Sequence, residues 1–160
     1  MFDNYDLAWA KYQKKLRILP LPLLSWDVFS NPKVEISTFN SLQKNWANKE
    51  NYQNQVANKP VIITDNKLTI LFATKEISRL TGYHSSEIIG KSPKMFQGPL
   101  TNEITRVKIR EAIKNKHPFK EIVINYKKDG TIYKCEIEAY PKFDSNSNLI
   151  NYIAFERIAS

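Results

Sequence analysis

The sequence predicts an α+β fold, in which a five-stranded antiparallel sheet carries helices on one face and is preceded by an N-terminal helical extension. Two β-rich runs between residues 61 and 73 and three longer runs after residue 119 are joined by short polar turns. Helical patterns lie between these two groups of strands and do not alternate with single strands. With 160 residues and 42% hydrophobic content, the chain has the composition of an ordinary globular protein.

The first 58 residues form the predicted extension, and residues 59–160 form the main domain. All three tryptophans lie in the extension, where apolar residues have helical spacing at about 5–16 and again at about 38–56. Exposed aromatic side chains usually mark a contact surface. We therefore expect the extension to bury its aromatic residues against the main domain or against a second copy of the chain.

The main domain opens with a predicted hairpin and closes with three predicted strands. The hairpin pairs residues 61–64 with 68–73, and the later strands cover residues 120–126, 131–140 and 149–158. Helices are predicted between them, at residues 74–80, 85–89 and 101–115. In the longest of these helices, the apolar periodicity places Ile104 and Val107 on the face toward the core.

Composition argues against several classes of function. A single cysteine, Cys135, and two distant histidines, His84 and His117, provide neither a disulfide framework nor metal-ligand spacing, so we expect no metal. No apolar run reaches the length of a membrane-spanning helix, and the acidic N-terminus does not resemble a secretory signal, so we expect a cytoplasmic protein without membrane contact. Because it has no glycine-rich phosphate loop and no nucleophile elbow, the sequence does not predict an enzyme.

The formal net charge of +8 raises the question of an acidic partner. The basic residues are spread along the chain, and neither a helix-turn-helix nor an RNA-binding motif accompanies them. A nucleic-acid-binding accessory protein therefore stays an alternative that is supported by charge alone.

Three motifs follow one another in the main domain. They are LTGY at residues 80–83, EIIGKSPKMFQGP at residues 87–99 and NYKKDG at residues 125–130. Together they resemble the PAS domain family, and within it the LOV branch, over about residues 60–158. The resemblance implies the PAS fold and a sensory or signalling role. Members of the LOV branch bind flavin mononucleotide (FMN) and form a light-driven bond to it from a cysteine in the pattern GxNCRFLQG.

Pro93 occupies the position of that reactive cysteine in the matching stretch GKSPKMFQG. Because proline has no thiol, the resemblance implies a module without a cysteinyl-flavin photocycle. Cys135 falls on a strand, at a position where LOV proteins carry an asparagine. Its alternative role is that of a small core residue.

By the same resemblance, four residues match flavin contacts. Gln97, Arg110 and Asn125 correspond to LOV contact residues, and Lys94 replaces an arginine that meets the phosphate, which keeps the charge and loses the forked geometry. The residues alone leave other roles open. Gln97 and Asn125 would then tie backbone ends together, and Arg110 would lie on a solvated helix face.

Three residues depart from the LOV pattern, since Pro60, Cys135 and Glu156 stand where LOV proteins use Asn, Asn and Gln. A flavin edge presents both donors and acceptors, whereas an ionised glutamate only accepts hydrogen bonds. We therefore expect no bound cofactor, with FMN as the alternative. We hypothesise that Glu156, Asn125 and Cys135 line a small polar pocket, in which the carboxyl group must find a cation, find donors or become protonated.

These observations predict a stand-alone sensory module that binds a small ligand or a protein partner. Only Ala159 and Ser160 follow the last predicted strand, so we expect output through a separate effector protein. We also expect a homodimer, formed by the N-terminal aromatic residues and the exposed face of the sheet. The alternatives are a flavin-binding, LOV-like redox or light sensor that forms no adduct, and the nucleic-acid-binding accessory protein.

Overall fold

In residues 32–160, the part of the chain that this computed structural model describes, five antiparallel strands form one sheet. The strands are β1 (Val61–Asp65), β2 (Ile70–Ala73), β3 (Phe119–Tyr126), β4 (Ile132–Phe143) and β5 (Leu149–Ile158). Their order across the sheet is β2-β1-β5-β4-β3. The predicted five-stranded antiparallel sheet is thereby confirmed. The predicted helix at residues 5–16 lies outside the described residues.

Helices precede the sheet and connect its two groups of strands. They are α1 (Pro32–Gln43), α2 (Gln53–Asn58), α3 (Glu76–Thr81), α4 (Ser85–Ile88), a 3₁₀ helix (Pro93–Phe96) and α5 (Glu103–Lys114). The first turn of α5 is capped by Asn102, whose Oδ1 accepts a hydrogen bond from the N–H of Ile104 at 2.7 Å. Helix α3 ends at Gly82, where the φ angle of +76° suits glycine. Among the described residues, no helix is both long enough and apolar enough to cross a membrane.

An apolar core lies between the inner face of the sheet and the short helices that follow β2. Its buried members are Ile62, Ile70, Ala73, Ile77, Leu80, Ile88, Phe96, Tyr133 and Cys135. Residues that alternate along β4 and β5 continue this inner face beyond the core. The space above that part of the sheet is the cavity described below.

The prediction of a single helix over residues 38–56 is wrong, because a non-helical segment separates α1 from α2. The break brings Trp46 onto the sheet, where its indole N–H donates to Asn151 Oδ1 at 2.9 Å. The N–H of Ala47 also donates to the carbonyl of Phe143 at 2.8 Å. These contacts with β4 and β5 replace helical hydrogen bonds in a polar, asparagine-rich stretch that has little helix propensity of its own.

The segment before β1 covers part of the outer face of the sheet. A second apolar cluster joins the segment before β1 to the strands, with buried members Phe39, Trp46, Tyr52, Val56, Val61, Ile63, Phe72 and Ile153. In the described part of the predicted extension, Phe39, Trp46 and Tyr52 pack on the strands of the main domain. The expectation of an exposed sheet face is wrong here, because these side chains cover the outer side of β1, β2 and β5. Residues Pro32–Ser160 form one compact unit.

A buried lysine on β4 holds the covering segment in place. Lys142 Nζ donates to Glu50 Oε1 and to the hydroxyl of Tyr52, each at 2.9 Å. The ammonium group also lies 5.4, 4.8 and 5.9 Å from the ring centroids of Trp46, Tyr52 and Tyr140. The carboxylate and the three aromatic faces compensate the burial of this charge.

Candidate ligand-binding cavity

A cavity of about 590 Å³ lies between the inner face of the sheet and helix α5. This volume falls within the range of small-molecule sites, about 300–1,000 Å³. The sheet, the 3₁₀ helix and α5 each contribute walls. The lining includes Pro93, Lys94, Gln97, Glu103, Arg106, Arg110, Lys114, Asn125, Ala139, Ala154 and Glu156.

Two alanines make room for the cavity. Ala139 on β4 and Ala154 on β5 are partners in the antiparallel register, and both line the cavity. Because a methyl group fills far less space than the branched side chains of the neighbouring core, this pair leaves an apolar floor with open volume above it. Sequence reasoning missed both residues, since the meeting of two small residues depends on strand register.

Helix α5 turns its basic residues toward the cavity. The predicted inward positions of Ile104 and Val107 are wrong, since these side chains are 69% and 38% exposed. Arg106, Arg110 and Lys114 line the cavity instead, spaced four residues apart along one face of the helix. That spacing was visible in the sequence. No α5 residue is fully buried, so the helix covers the cavity without filling it.

One carboxylate pairs with two of these basic residues. Glu103, in the first turn of α5, accepts hydrogen bonds from Arg110 Nη2 at 2.5 Å and from Arg106 Nη1 at 3.3 Å. The Arg110 hydrogen bond is the main reason that the pKa of Glu103 lies below its usual range. The two arginines form a basic rim of the cavity together with Lys94 of the 3₁₀ helix and Lys114. Such a rim suits an anionic group. Arg110 is therefore a cavity residue as well as a solvent-exposed one.

Asn125 lies on the wall that β3 contributes and is only 2% exposed. Its Oδ1 has no hydrogen-bond partner among the described residues. Its backbone forms an isolated bridge with Gln97, so the backbone ties these two segments together and both side chains line the cavity. An unpartnered buried amide oxygen is costly, and this one is placed where a ligand can satisfy it.

Glu156 on β5 lines the same cavity as Asn125 and is 5% exposed. The thiol of Cys135 donates to Glu156 Oε2 at 3.6 Å. Burial raises the pKa of Glu156 to about 7, against the smaller opposing effect of that thiol hydrogen bond. The same burial raises the pKa of the Cys135 thiol, which keeps it protonated.

The structure brings together all the candidate residues except one. Lys94, Gln97, Arg110, Asn125 and Glu156 line a single cavity, and Pro93, at the position of the reactive cysteine, lines it too. Cys135 does not line the cavity. It is fully buried in the apolar core behind Glu156, because its strand position packs it toward the short helices. Nowhere in residues 32–160 do three His, Cys, Asp or Glu side chains gather in a group that could hold a metal ion.

Comparison with known proteins identifies the source of this architecture. Residues 58–157 match the PAS domain family. Protein TWIN LOV 1 of Arabidopsis thaliana is 33% identical over 88 residues, which are 54% of this chain and 22% of that protein. A blue-light photoreceptor of Listeria innocua is 35% identical over 92 residues, which are 56% of this chain and 36% of that protein.

A solved light-oxygen-voltage domain, whose mechanism was studied with a flavin analogue, superposes with a TM-score of 0.63 at 27% identity. The match covers 66% of this chain and 81% of that domain. The predicted fold and LOV-like resemblance are thereby confirmed. The chain spans well under half of the length of the two curated relatives named above.

Proposed function

The chain belongs to the PAS domain family, and on that basis we propose that it is a non-catalytic sensory module that binds a flavin-like ligand in its cavity. The ligand class is a ring system with an anionic tail, for which FMN is the first candidate. The module responds to occupancy or to the chemical state of the ligand, without a bond from a cysteine.

The division of the cavity into three zones carries this proposal. Ala139 and Ala154 supply an apolar floor for a flat ring, and Asn125 supplies an unpartnered acceptor for its polar edge. The basic rim, with Lys94 and Arg110, supplies positive charge for a phosphate. These features support FMN, the alternative that the sequence left open, over a site without a cofactor.

Neither Pro93 nor Cys135 provides a thiol that could form a bond to the ligand. Pro93 lines the cavity and has no thiol. Cys135 is the only cysteine of the chain. Its thiol lies in the core behind Glu156 and is held protonated by burial, so it lacks the thiolate character and the access that a reactive cysteine needs.

The absorption spectrum of the purified protein tests the proposal, followed by mass spectrometry of any molecule that denaturation releases. Protein without a ligand is then titrated with FMN. We expect binding that is lost in Ala154→Leu, because the larger side chain fills the floor of the cavity. Lys134→Leu places the same side chain on the outer face of β4 and serves as the matched control. A colourless protein that FMN does not bind contradicts the proposal.

We also propose that the chain forms a homodimer through the part of the outer sheet face that residues 32–160 leave uncovered. Ile122 on β3 and Ile132 on β4 point to this side and are 50% and 49% exposed. Beside Ile122 lies a row of alternating charge, in which Lys120 and Arg157 both pair with Glu136. A second copy in antiparallel orientation complements such a row.

A further inference from the structure

The wall that β5 contributes to the cavity holds a carboxyl group with no ion-pair partner in residues 32–160. Glu156 is 5% exposed, and no lysine, arginine or histidine among the described residues forms an ion pair with it. Its backbone N–H donates to the carbonyl of Pro60 at 3.0 Å, which fixes the residue in the sheet. A carboxylate in such a place loses its hydration without compensation, so the neutral acid is the favoured form.

The neighbours of Glu156 on each element do not change this balance. On β4, Tyr133 and Cys135 are themselves kept neutral, because burial raises the pKa of both groups. On β3, Asn125 is uncharged, and Glu121 pairs with Lys108 of α5. The basic groups on the far side of the cavity lie at its exposed rim, where Glu103 engages Arg106 and Arg110.

The hydrogen bonds of the carboxyl group decide what it offers to a ligand. A neutral carboxyl group has one O–H donor and further acceptor capacity. The thiol of Cys135 already donates to Oε2. No other side-chain hydrogen bond to this carboxyl group is present among the described residues, and the group lines the cavity.

We propose that Glu156 binds the ligand as a neutral carboxylic acid, donating a hydrogen bond to an acceptor atom on the edge of the ring. The assignment rests on the proposed function and specifies it: the ring carries a carbonyl oxygen or an unprotonated nitrogen at the edge that meets β5. It follows that the cavity holds such a ligand less tightly once the carboxyl group ionises. Glu156 then has no O–H to donate, and its carboxylate oxygen faces the acceptor atom of the ring.

The test measures the affinity of riboflavin and of FMN, by flavin fluorescence, for the wild-type protein and for Glu156→Gln between pH 6 and pH 8.5. Riboflavin is the main probe, since the phosphate of FMN itself titrates near pH 6. With burial raising the pKa of Glu156 to about 7, the wild-type dissociation constant rises about thirtyfold over this range. Glu156→Gln keeps an N–H donor at every pH, so its affinity stays constant. Glu138→Gln, on the outer face of β4, behaves like the wild type.

An infrared measurement on the ligand-free protein gives a second readout. A carbonyl band of a neutral carboxylic acid is expected at pH 6, absent from Glu156→Gln and lost from the wild type as the pH rises past 7. Absence of this band, or riboflavin binding with the same pH profile in both proteins, overturns the assignment of Glu156. Failure of both flavins to bind either protein at any pH overturns the proposed function instead.

Discussion

Trp46 and Asn151 are 105 residues apart in the sequence and are joined by a buried hydrogen bond of 2.9 Å from Nε1 to Oδ1. The amide nitrogen of Asn151 in turn donates to the carbonyl of Thr64, also at 2.9 Å. The side chain of Thr64 lines the cavity. A single asparagine therefore connects the wall of the cavity to the segment that covers the outer face of the sheet.

Replacing Asn151 with alanine is expected to lower the free energy of unfolding by about 2–3 kcal/mol, because it leaves the buried Trp46 N–H unpaired and removes the side-chain hydrogen bond to the Thr64 carbonyl. Denaturation by urea measures the change. Asn45→Ala, at an exposed position between α1 and α2, is the control and should alter stability by less than about 0.5 kcal/mol. Equal effects of the two substitutions would show that the Asn151 hydrogen bonds contribute little.

The buried carboxyl group of Glu156 gives stability a defined pH dependence. Its pKa of about 7 in the folded protein exceeds the ordinary value of 4.5. A raised pKa contributes stability that is complete below the unfolded pKa and is lost as the pH rises to the folded pKa. Relative to Glu156→Gln, the wild type should therefore lose about 3 kcal/mol between pH 4.5 and 7, and nothing further above pH 8. A difference that stays constant across urea titrations at pH 5, 6, 7 and 8 contradicts this prediction.

Glu103 accepts hydrogen bonds from Arg106 and Arg110, so it would compete with the phosphate of the proposed ligand for these groups. Glu103→Gln should release Arg110, while Arg106 keeps its hydrogen bond to the Gly98 carbonyl, and should strengthen FMN binding about two- to fivefold, the size expected for exposed ion pairs. Riboflavin lacks the phosphate, so its affinity should not change. Glu111→Gln removes a carboxylate from the same helix without touching these arginines and serves as control. An equal gain for riboflavin would show that the effect does not pass through the phosphate.

Gly98 allows the loop before α5 to pack on Tyr126. A Cβ atom at this position would lie 2.4 Å from Cε2 of that ring. The Tyr126 hydroxyl also accepts a hydrogen bond from the N–H of Leu100 at 3.0 Å. Gly98→Ala is expected to cost about 1–3 kcal/mol of stability through overpacking. The cost should shrink when Tyr126→Ala is also present; strict additivity in a double-mutant cycle would exclude the clash as the cause.

The proposed homodimer predicts that Ile122→Lys converts the protein to a monomer, since a lysine on each copy would face the interface. Light scattering after size-exclusion chromatography measures the mass. Ile104→Lys, which changes an exposed isoleucine on α5, should leave the dimer intact. A wild-type protein of monomeric mass at high micromolar concentration would exclude this dimer.

The sequence predicted the strands well, because their apolar runs and polar turns are local signals. It failed at α5 for a physical reason. Apolar periodicity indicates which face of a helix packs on protein. Helix α5 lies over a cavity instead, so Arg106 and Arg110 line the rim of that cavity and Ile104 is exposed. The break between α1 and α2 was equally hidden, because the partner of Trp46 is a residue of the last strand.

In the candidate site, too, the sequence predicted some residues and not others. The motif resemblance located Lys94, Gln97, Arg110, Asn125 and Glu156, and the structure gathers all five around one cavity. Cys135 contacts Glu156 but lies in the buried core, and a strand position alone does not show which neighbours surround a side chain. Arg106 and Lys114 complete the basic rim, and only the geometry of α5 distinguishes them from an ordinary solvated face.

The paired alanines beneath the cavity set the depth of the site without taking part in polar recognition. Ala139 and Ala154 differ from larger aliphatic residues only in volume, so a change from alanine to valine at either position trims the space by two carbon atoms and leaves the charge pattern intact. If the cavity binds the proposed ligand, separate residues would select its size and its polar groups. Each selection could then be altered alone, so that the cavity could be directed toward smaller or larger rings.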